Sequence, residues 1–401
     1  MLGKSTDSPR AAQTLLLCFI TYLTAYVLRT NYSSALPLIL QQLDFTETEL
    51  GAVGSAFFIA YAVGQLVNGF IADAVNPSKF IILALIGSAV MNASMAFCDR
   101  LWMLMIVWAC NGYFQSIFWG CLQRILSLRC SPEKRTMVAT VMSASMVAGF
   151  VISWVVLRNL LHSWQTFFLY PALMGMILLA VWFPVSRKNS MPEGASRKIS
   201  LTGIRTAMQL IVEKKLYVVC GICVCLGFIK ESISVWGPTM MADMLGLDLQ
   251  TSSVILFIIP LGNLGGIFWA KFLADRKRFS TLQTLFPLFG ALFAASMLML
   301  IAKQNTLLLT AAMIVIVSAM SYGCNSVLLS MVPLLYTRYG IVSTLIGFFD
   351  FSSYIGASVS SVVAGALISS QNWDLLPLLW LCFAAAALTI TALAQKLSKQ
   401  S

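Results

Sequence analysis

Twelve stretches of this chain are each long and apolar enough to cross a lipid bilayer: about 12–39, 49–73, 79–98, 101–127, 136–160, 164–185, 216–242, 251–273, 281–302, 306–335, 341–368 and 375–396. No other feature constrains the fold as tightly. A segment in hydrocarbon must pair every backbone N–H and C=O, and about 20 residues of α-helix do so within one span. Of the 401 residues, 59% are hydrophobic and 10% charged, against roughly a quarter charged in a soluble domain. Such a chain cannot bury its apolar surface in a soluble core. The expected class is an all-α membrane protein.

The net charge of +11 would suggest nucleic acid in a soluble protein, but here the cations sit in loops. One alternating set of loops and ends carries Lys79, Arg129, Lys134, Arg135, Arg276, Lys277, Arg278, Arg338, Lys396 and Lys399. The other set holds Arg100, Arg158 and Lys303 among the acids Asp44, Glu47, Glu49, Asp99, Asp243, Asp248 and Asp374. The positive-inside rule then places both termini in the cytoplasm, and no nucleic-acid partner is expected. A basic linker at 186–215 separates six spans at 1–185 from six at 216–401. The ten cysteines fall mostly in apolar runs, Cys220, Cys223 and Cys225 among them, and read as packing residues rather than disulfides or metal ligands. The first run lacks a small-residue cleavage site after it and is expected to be retained as a helix.

Charges inside the spans are the candidates for function. Arg29 lies within the first run, where an arginine costs about 2.5–3.5 kcal/mol and must face protein, water or an anion. Tyr22, Tyr26, Arg29 and Ser33 share one helical face. The second half repeats the arrangement: Arg29 to Lys230 and Pro37 to Pro238 are both offsets of 201, and Asp73 to Asp275 is 202. Paired repeats in a helical membrane protein point to a transporter with its substrate near the midplane. Pro37, Pro238, Pro260 and Pro333 are expected to kink their helices. Gly149, Gly347 and Gly356 suit close helix packing.

Gly69-Phe70-Ile71-Ala72-Asp73 followed by Lys79 resembles the signature loop of the major facilitator superfamily, and Ala274-Asp275-Arg276-Lys277-Arg278 resembles a degenerate second copy. Four further stretches resemble one branch, the organophosphate:phosphate antiporter family: YVLRTN at 26–31, NGYFQ at 111–115 with Trp119 and Arg124 after it, KESISVWGPT at 230–239, and GFFDFSSYIGAS at 347–358. The resemblance implies two pseudo-symmetric six-helix bundles around a central cavity. It implies alternating-access transport of a small organic anion, such as a sugar phosphate or glycerol phosphate, in exchange for inorganic phosphate. Carried over by position, Arg29 matches the first phosphate-binding arginine, and Lys230 stands where a second is expected. Tyr22, Tyr26, Tyr61, Trp119, Tyr322 and Tyr354 match aromatic cavity positions. Asp73, Lys79, Arg124, Arg135 and Asp275 would form a cytoplasmic gate network.

Several departures bear on this. Lys230 lacks the guanidinium fork that grips phosphate with two parallel bonds. Gln65 and Met146 replace a lysine and a histidine of the glycerol-phosphate branch, and the one histidine, His162, lies in an outer loop. Asp350 is a carboxylate in the middle of span eleven and shares a face with Tyr354. It is either a structural counter-ion of Lys230 or Arg29, or a substrate- or proton-binding group. Glu231 projects about 100° around the helix from Lys230. Pairing of Asp350 with Lys230 would leave one net positive charge, which suits a monoanion such as a sugar acid. One alternative is therefore a proton-coupled symporter of a monoanion, and the resemblance implies another, a membrane sensor of a phosphorylated sugar. A drug–proton antiporter is disfavoured by the cationic site. An enzyme is disfavoured because no metal cluster, no nucleophile with a histidine partner and no nucleotide loop is present. No cofactor is expected. The partners are the organic anion, phosphate or a proton as coupling species, and the bilayer. The resemblance implies a monomer in a bacterial cytoplasmic (inner) membrane.

Overall fold

The computed structural model describes residues 9–129, 135–188, 208–245, 249–276, 280–302, 307–336, 342–373 and 375–398. Most of the 186–215 linker, and the side chains of Asp73 and Arg135, lie outside the described residues. The helices are α1 (Pro9–Gln42), α2 (Glu47–Ala74), α3 (Pro77–Met95), α4 (Leu101–Arg129) and α5 (Arg135–Val151). A π-helical stretch, Ile152–Leu157, carries α5 on into Arg158–Leu160. Then come α6 (Thr166–Lys188), α7 (Tyr217–Leu245), α8 (Leu249–Asp275), α9 (Leu285–Ala302) and α10 (Leu307–Ser326). A second π-helical stretch, Val327–Met331, extends α10 into Val332–Leu334, and α11 (Val342–Ser369) and α12 (Leu375–Ser398) complete the set.

Among the described residues, eleven helices are long and apolar enough to span a membrane. The twelfth, α9, has 18 residues and at 1.5 Å per residue reaches about 27 Å, close to the hydrocarbon thickness. Local sequence explains where several helices begin. Thr46 caps α2 through a reciprocal capping box with Glu49. Asn76 caps α3, with Pro77 in the first turn where its missing N–H costs nothing. The π-helical stretch of α10 stands just before Pro333, which cannot donate the usual bond to the preceding turn. Arg158, counted with the loop cations in the sequence, is instead in the last turn of α5. It is buried, and its Nη1 donates to the Ser34 carbonyl at 2.9 Å.

Helix packing repeats after six helices. In the first six, α1 packs on α4, α5 and α6, α2 on α4, and α3 on α4 and α6. In the second six, α7 packs on α10, α11 and α12, α8 on α10, and α9 on α10 and α12. These are the same pairs shifted by six, which is a pseudo-twofold arrangement of two six-helix bundles. The bundles meet through α2 with α11, α5 with α8, and α1 with α7. Large apolar side chains such as Leu173 and Ile177 of α6 lie more than half exposed on the outside, where lipid would cover them.

The α2–α11 seam closes the end of the molecule that carries residues 43–46. Ser369 Oγ donates to Glu47 Oε2 at 2.7 Å, and Ser361 Oγ donates to the Gly51 carbonyl at 2.9 Å. Trp236 Nε1 of α7 donates to the Ser361 carbonyl at 3.1 Å, tying a third helix into the seal.

Candidate functional site

Arg29 is held by its own helix, and that helix is fixed by a buried amide network. Asn31 Nδ2 donates to Asn92 Oδ1 at 2.7 Å and to the Phe167 carbonyl at 2.9 Å. Asn92 Nδ2 and Asn111 Nδ2 both donate to the Leu28 carbonyl, at 3.0 and 3.1 Å. Ser88 Oγ donates to Asn111 Oδ1 at 2.7 Å and accepts from Gln115 Nε2 at 2.8 Å. The network joins α1, α3, α4 and α6 on either side of Arg29. Two amides of the NGYFQ stretch therefore work as scaffold. Asn92→Ala removes two donated bonds and leaves one of the two Asn31 amide hydrogens without an acceptor. At roughly 1–3 kcal/mol per orphaned buried group, thermal unfolding in detergent should come several degrees earlier.

On the facing bundle, Trp380 Nε1 donates to Ser232 Oγ at 2.9 Å and fixes α7 against α12 beside Lys230 and Glu231. The two cations then converge on one carboxylate. Arg29 Nη2 lies 3.2 Å from Glu231 Oε2, and Lys230 Nζ lies 2.8 Å from Glu231 Oε1. Arg29 Nη1 also donates to the Tyr354 hydroxyl at 2.9 Å. Five rings surround the guanidinium: Tyr26, Phe57, Phe58, Tyr61 and Tyr354, with centroids 5.2–5.8 Å away. Lys230 Nζ lies 5.6 Å from the Tyr322 ring and 5.8 Å from that of Tyr354. Cation–π attraction of about 0.5–2 kcal/mol per favourable contact and the carboxylate together offset the cost of burying two cations.

Of the two roles left open for Asp350, this arrangement gives the counter-ion role to Glu231. Glu231, not Asp350, is the carboxylate in contact with both cations. A helical wheel separates Glu231 from Lys230 by the roughly 100° between adjacent residues. The long stems of Lys230 and Glu231 bring their ends together despite that angle. Two adjacent charges inside one apolar span were the signal available. Asp350 is buried on α11, and among the described residues it has no ion pair or hydrogen bond. Lys230, Arg29 and Glu231 act on it through space.

A small cavity lies beside the cluster, bounded by Arg29, Glu231, Ser33, Ser234, Phe57 and Tyr322, with Tyr26 and Trp108 also in its wall. The centre of a water-sized sphere can occupy only about 30 Å³ of it, so a sugar-sized ligand needs the helices to part. Its polar edge is prepared: Ser33 Oγ accepts from Trp154 Nε1 at 2.8 Å, and Ser234 Oγ lies 3.5 Å from the Tyr322 hydroxyl.

The remaining expected positions are distributed as follows. Tyr61 packs on Tyr354 with centroids 4.3 Å apart. Tyr22 packs on Tyr26 and on Trp119, at 5.1 and 4.9 Å, outside the cavity wall. Arg124 donates to the Ala72 and Val75 carbonyls, where it caps the end of α2 and complements its dipole. Lys79 and Asp275 are exposed. The side chains of Asp73 and Arg135 fall outside the described residues. Phe57 and Phe58 were not singled out in the sequence, because apolar residues in an apolar span carry no distinguishing mark.

Comparison with known proteins agrees with this architecture. The family model of the Major Facilitator Superfamily matches residues 18–349. A glycerol-3-phosphate transporter of Bacillus subtilis is 24% identical over 386 residues, covering 89% of this chain and 86% of that protein. The membrane sensor protein UhpC of Salmonella typhimurium is 25% identical over 281 residues, covering 65% of this chain and 64% of that protein. Among solved structures, a bacterial homologue of the human lysosomal transporter Spinster, in an inward-facing and unoccupied conformation, superposes with a TM-score of 0.74. It is 13% identical and is covered over 98% of both chains.

Proposed function

The chain belongs to the Major Facilitator Superfamily, and from that premise we propose that it carries a small organophosphate, such as a glycerol or sugar phosphate, across the membrane by alternating access, in exchange for inorganic phosphate. One observation carries this reading. A cation from each bundle reaches the same carboxylate, at 3.2 and 2.8 Å, so the point between them is an anion position built from both halves. A ligand anion there would bridge Arg29 and Lys230 as the Glu231 carboxylate does, with the aromatic rings against its organic part. Affinity that differs between the two arrangements of the bundles is what lets a ligand drive the switch. In this reading the chain acts as a monomer in a bacterial inner membrane, with both termini cytoplasmic. The six-helix units 1–185 and 216–401 rock about the linker 186–215, and Asp73, Lys79, Arg124, Arg135 and Asp275 hold the cytoplasmic gate.

The test is uptake of labelled glycerol 3-phosphate and hexose 6-phosphates into proteoliposomes. Vesicles preloaded with inorganic phosphate are compared with empty vesicles and with empty vesicles under an imposed proton gradient. Stimulation by internal phosphate is the expected result. Ligand binding without uptake in any condition would reassign the protein as a sensor.

A second reading, proton-coupled uptake of a monoanion, is favoured by Asp350, which has no ion pair or hydrogen bond among the described residues. Lys230 and Glu231 of α7 and Arg29 of α1 act on it, and it acts in turn on Cys223 of α7, Tyr61 of α2 and Tyr354 of α11. With Asp350 protonated the cluster carries one net positive charge, and with it ionised, none. Affinity for an anion that does not itself titrate should therefore fall as pH rises in the parent. Asp350→Asn should flatten that profile and abolish stimulation by the proton gradient. An unchanged profile would leave Asp350 without a coupling role.

A further inference from the structure

We infer that Glu231 is a specificity-determining residue that sets the charge of the ligand, so that the site favours a monoanion over a dianion and takes a phosphate monoester in its singly protonated form. The inference rests on the anion-binding reading above and deepens it. Glu231 lies against both cations, closer than any other acidic side chain among the described residues, with contacts of 3.2 Å to Arg29 and 2.8 Å to Lys230. It is 2% exposed, so water screens its charge poorly. Arg29 and Lys230 contribute two positive charges and Glu231 removes one. With Asp350 protonated, what remains matches a single negative charge on the ligand, and an ionised Asp350 would only deepen the bias against a second one. A second ligand charge would face the Glu231 carboxylate inside the same apolar cage, where like charges repel strongly.

Glu231 also lines the cavity together with Arg29, so an entering anion meets the carboxylate and the guanidinium side by side. The ligand must take part of the donor set that Glu231 holds. Arg29 has donors to share, because its guanidinium presents five N–H groups and only Nη2 is at Glu231 while Nη1 serves Tyr354. Lys230 Nζ has three. A monoanionic phosphodiester, a singly protonated phosphate or a sugar carboxylate can be accommodated beside Glu231 without an unpaired charge.

The experiment uses the full-length protein in detergent at pH 7.5 with two probes on one scaffold. These are glycerol 3-phosphate, a dianion well above its second pKa of about 6, and its methyl phosphodiester, a monoanion at every working pH. The unaltered protein should bind the diester at least about tenfold more tightly than the dianion. Glu231→Gln should shift that ratio toward the dianion by at least about tenfold, and Glu231→Asp, which keeps the charge, should retain the parental order. A ratio unmoved by Glu231→Gln overturns the inference while leaving the anion site standing. So does a parental preference for the dianion, which needs no variant to measure. Loss of both probes in a folded Glu231→Gln protein also overturns it, since Glu231 would then be required for binding and not only for charge selection. Binding of neither probe to the unaltered protein overturns the organophosphate reading and this inference with it.

Discussion

Arg29→Ala abolishes anion binding, with affinity falling at least about a hundredfold, while the protein remains folded in the membrane. The size follows from charge counting. Without Arg29 the site holds Lys230 against Glu231, a neutral pair at 2.8 Å, with Asp350 nearby as a further acid. In either protonation state of Asp350 the site loses one positive charge, ending neutral or negative. Charge-assisted bonds contribute about 1.5–3 kcal/mol each, and the lost long-range attraction adds to that. Folding survives because Glu231 keeps Lys230 as partner, so no buried charge is orphaned. The rings left around the gap are held by their own helices, and, Glu231 apart, the group bonded to Arg29 that loses a donor is the uncharged Tyr354 hydroxyl. Arg29→Lys should recover only part of the binding, since an ammonium cannot reach Glu231, Tyr354 and the ligand with a fixed fork. Ligand titration of purified variants checks both, with the thermal unfolding temperature as the folding control. Retention of parental affinity by Arg29→Ala would remove Arg29 from the site.

A large effect on stability is expected at Gly356. There α11 passes so close to α7 that an added Cβ would overlap the Val224 carbonyl and press on the Phe228 backbone. Gly227 of α7 meets the Ser353 carbonyl of α11 in the same way, so neither helix has slack at the crossing. Backbone-to-backbone contact of this kind is how helices associate in lipid, where there is no hydrophobic drive between them. Gly356→Leu would force α7 and α11 apart beside Lys230 and Tyr354. A cost above about 4 kcal/mol is in the range that unfolds marginal proteins. The variant should yield little monodisperse protein on extraction. Gly290→Ala is the control: no atom lies within 4 Å of a Cβ placed there, and a glycine-to-alanine change inside a helix is favourable by roughly 0.5–1 kcal/mol. Similar yields of both variants would show that the α7–α11 approach is not a determinant of folding.

The helices were legible because hydrocarbon allows few solutions. A run of some twenty apolar residues has to be a helix, and the caps at Thr46 and Asn76 are ordinary local chemistry. The two central cations were legible for the same reason, since Arg29 and Lys230 stand out where charge is expensive. What the sequence hid was the partner. Glu231 is adjacent to Lys230, and a wheel projection separates them. Only the placement of α1 against α7 shows that one carboxylate serves a cation from each bundle. The NGYFQ stretch was recognisable by resemblance, but its Asn111 and Gln115 turn out to brace α1 through Leu28 and Ser88. Phe57 and Phe58 could not be told from lipid-facing neighbours such as Ile59, which is 49% exposed. Facing direction along a uniformly apolar helix is set by tertiary packing and leaves no periodic mark.

The central claim is that one ligand anion sits between Arg29 and Lys230. The most direct measurement is the position of the anionic group in a structure of the protein bound to glycerol 3-phosphate or its methyl diester. The account places that group within salt-bridge distance of both side chains, with Glu231 still against at least one of them. An anionic group bound elsewhere, with the Arg29–Glu231–Lys230 cluster undisturbed, would contradict it.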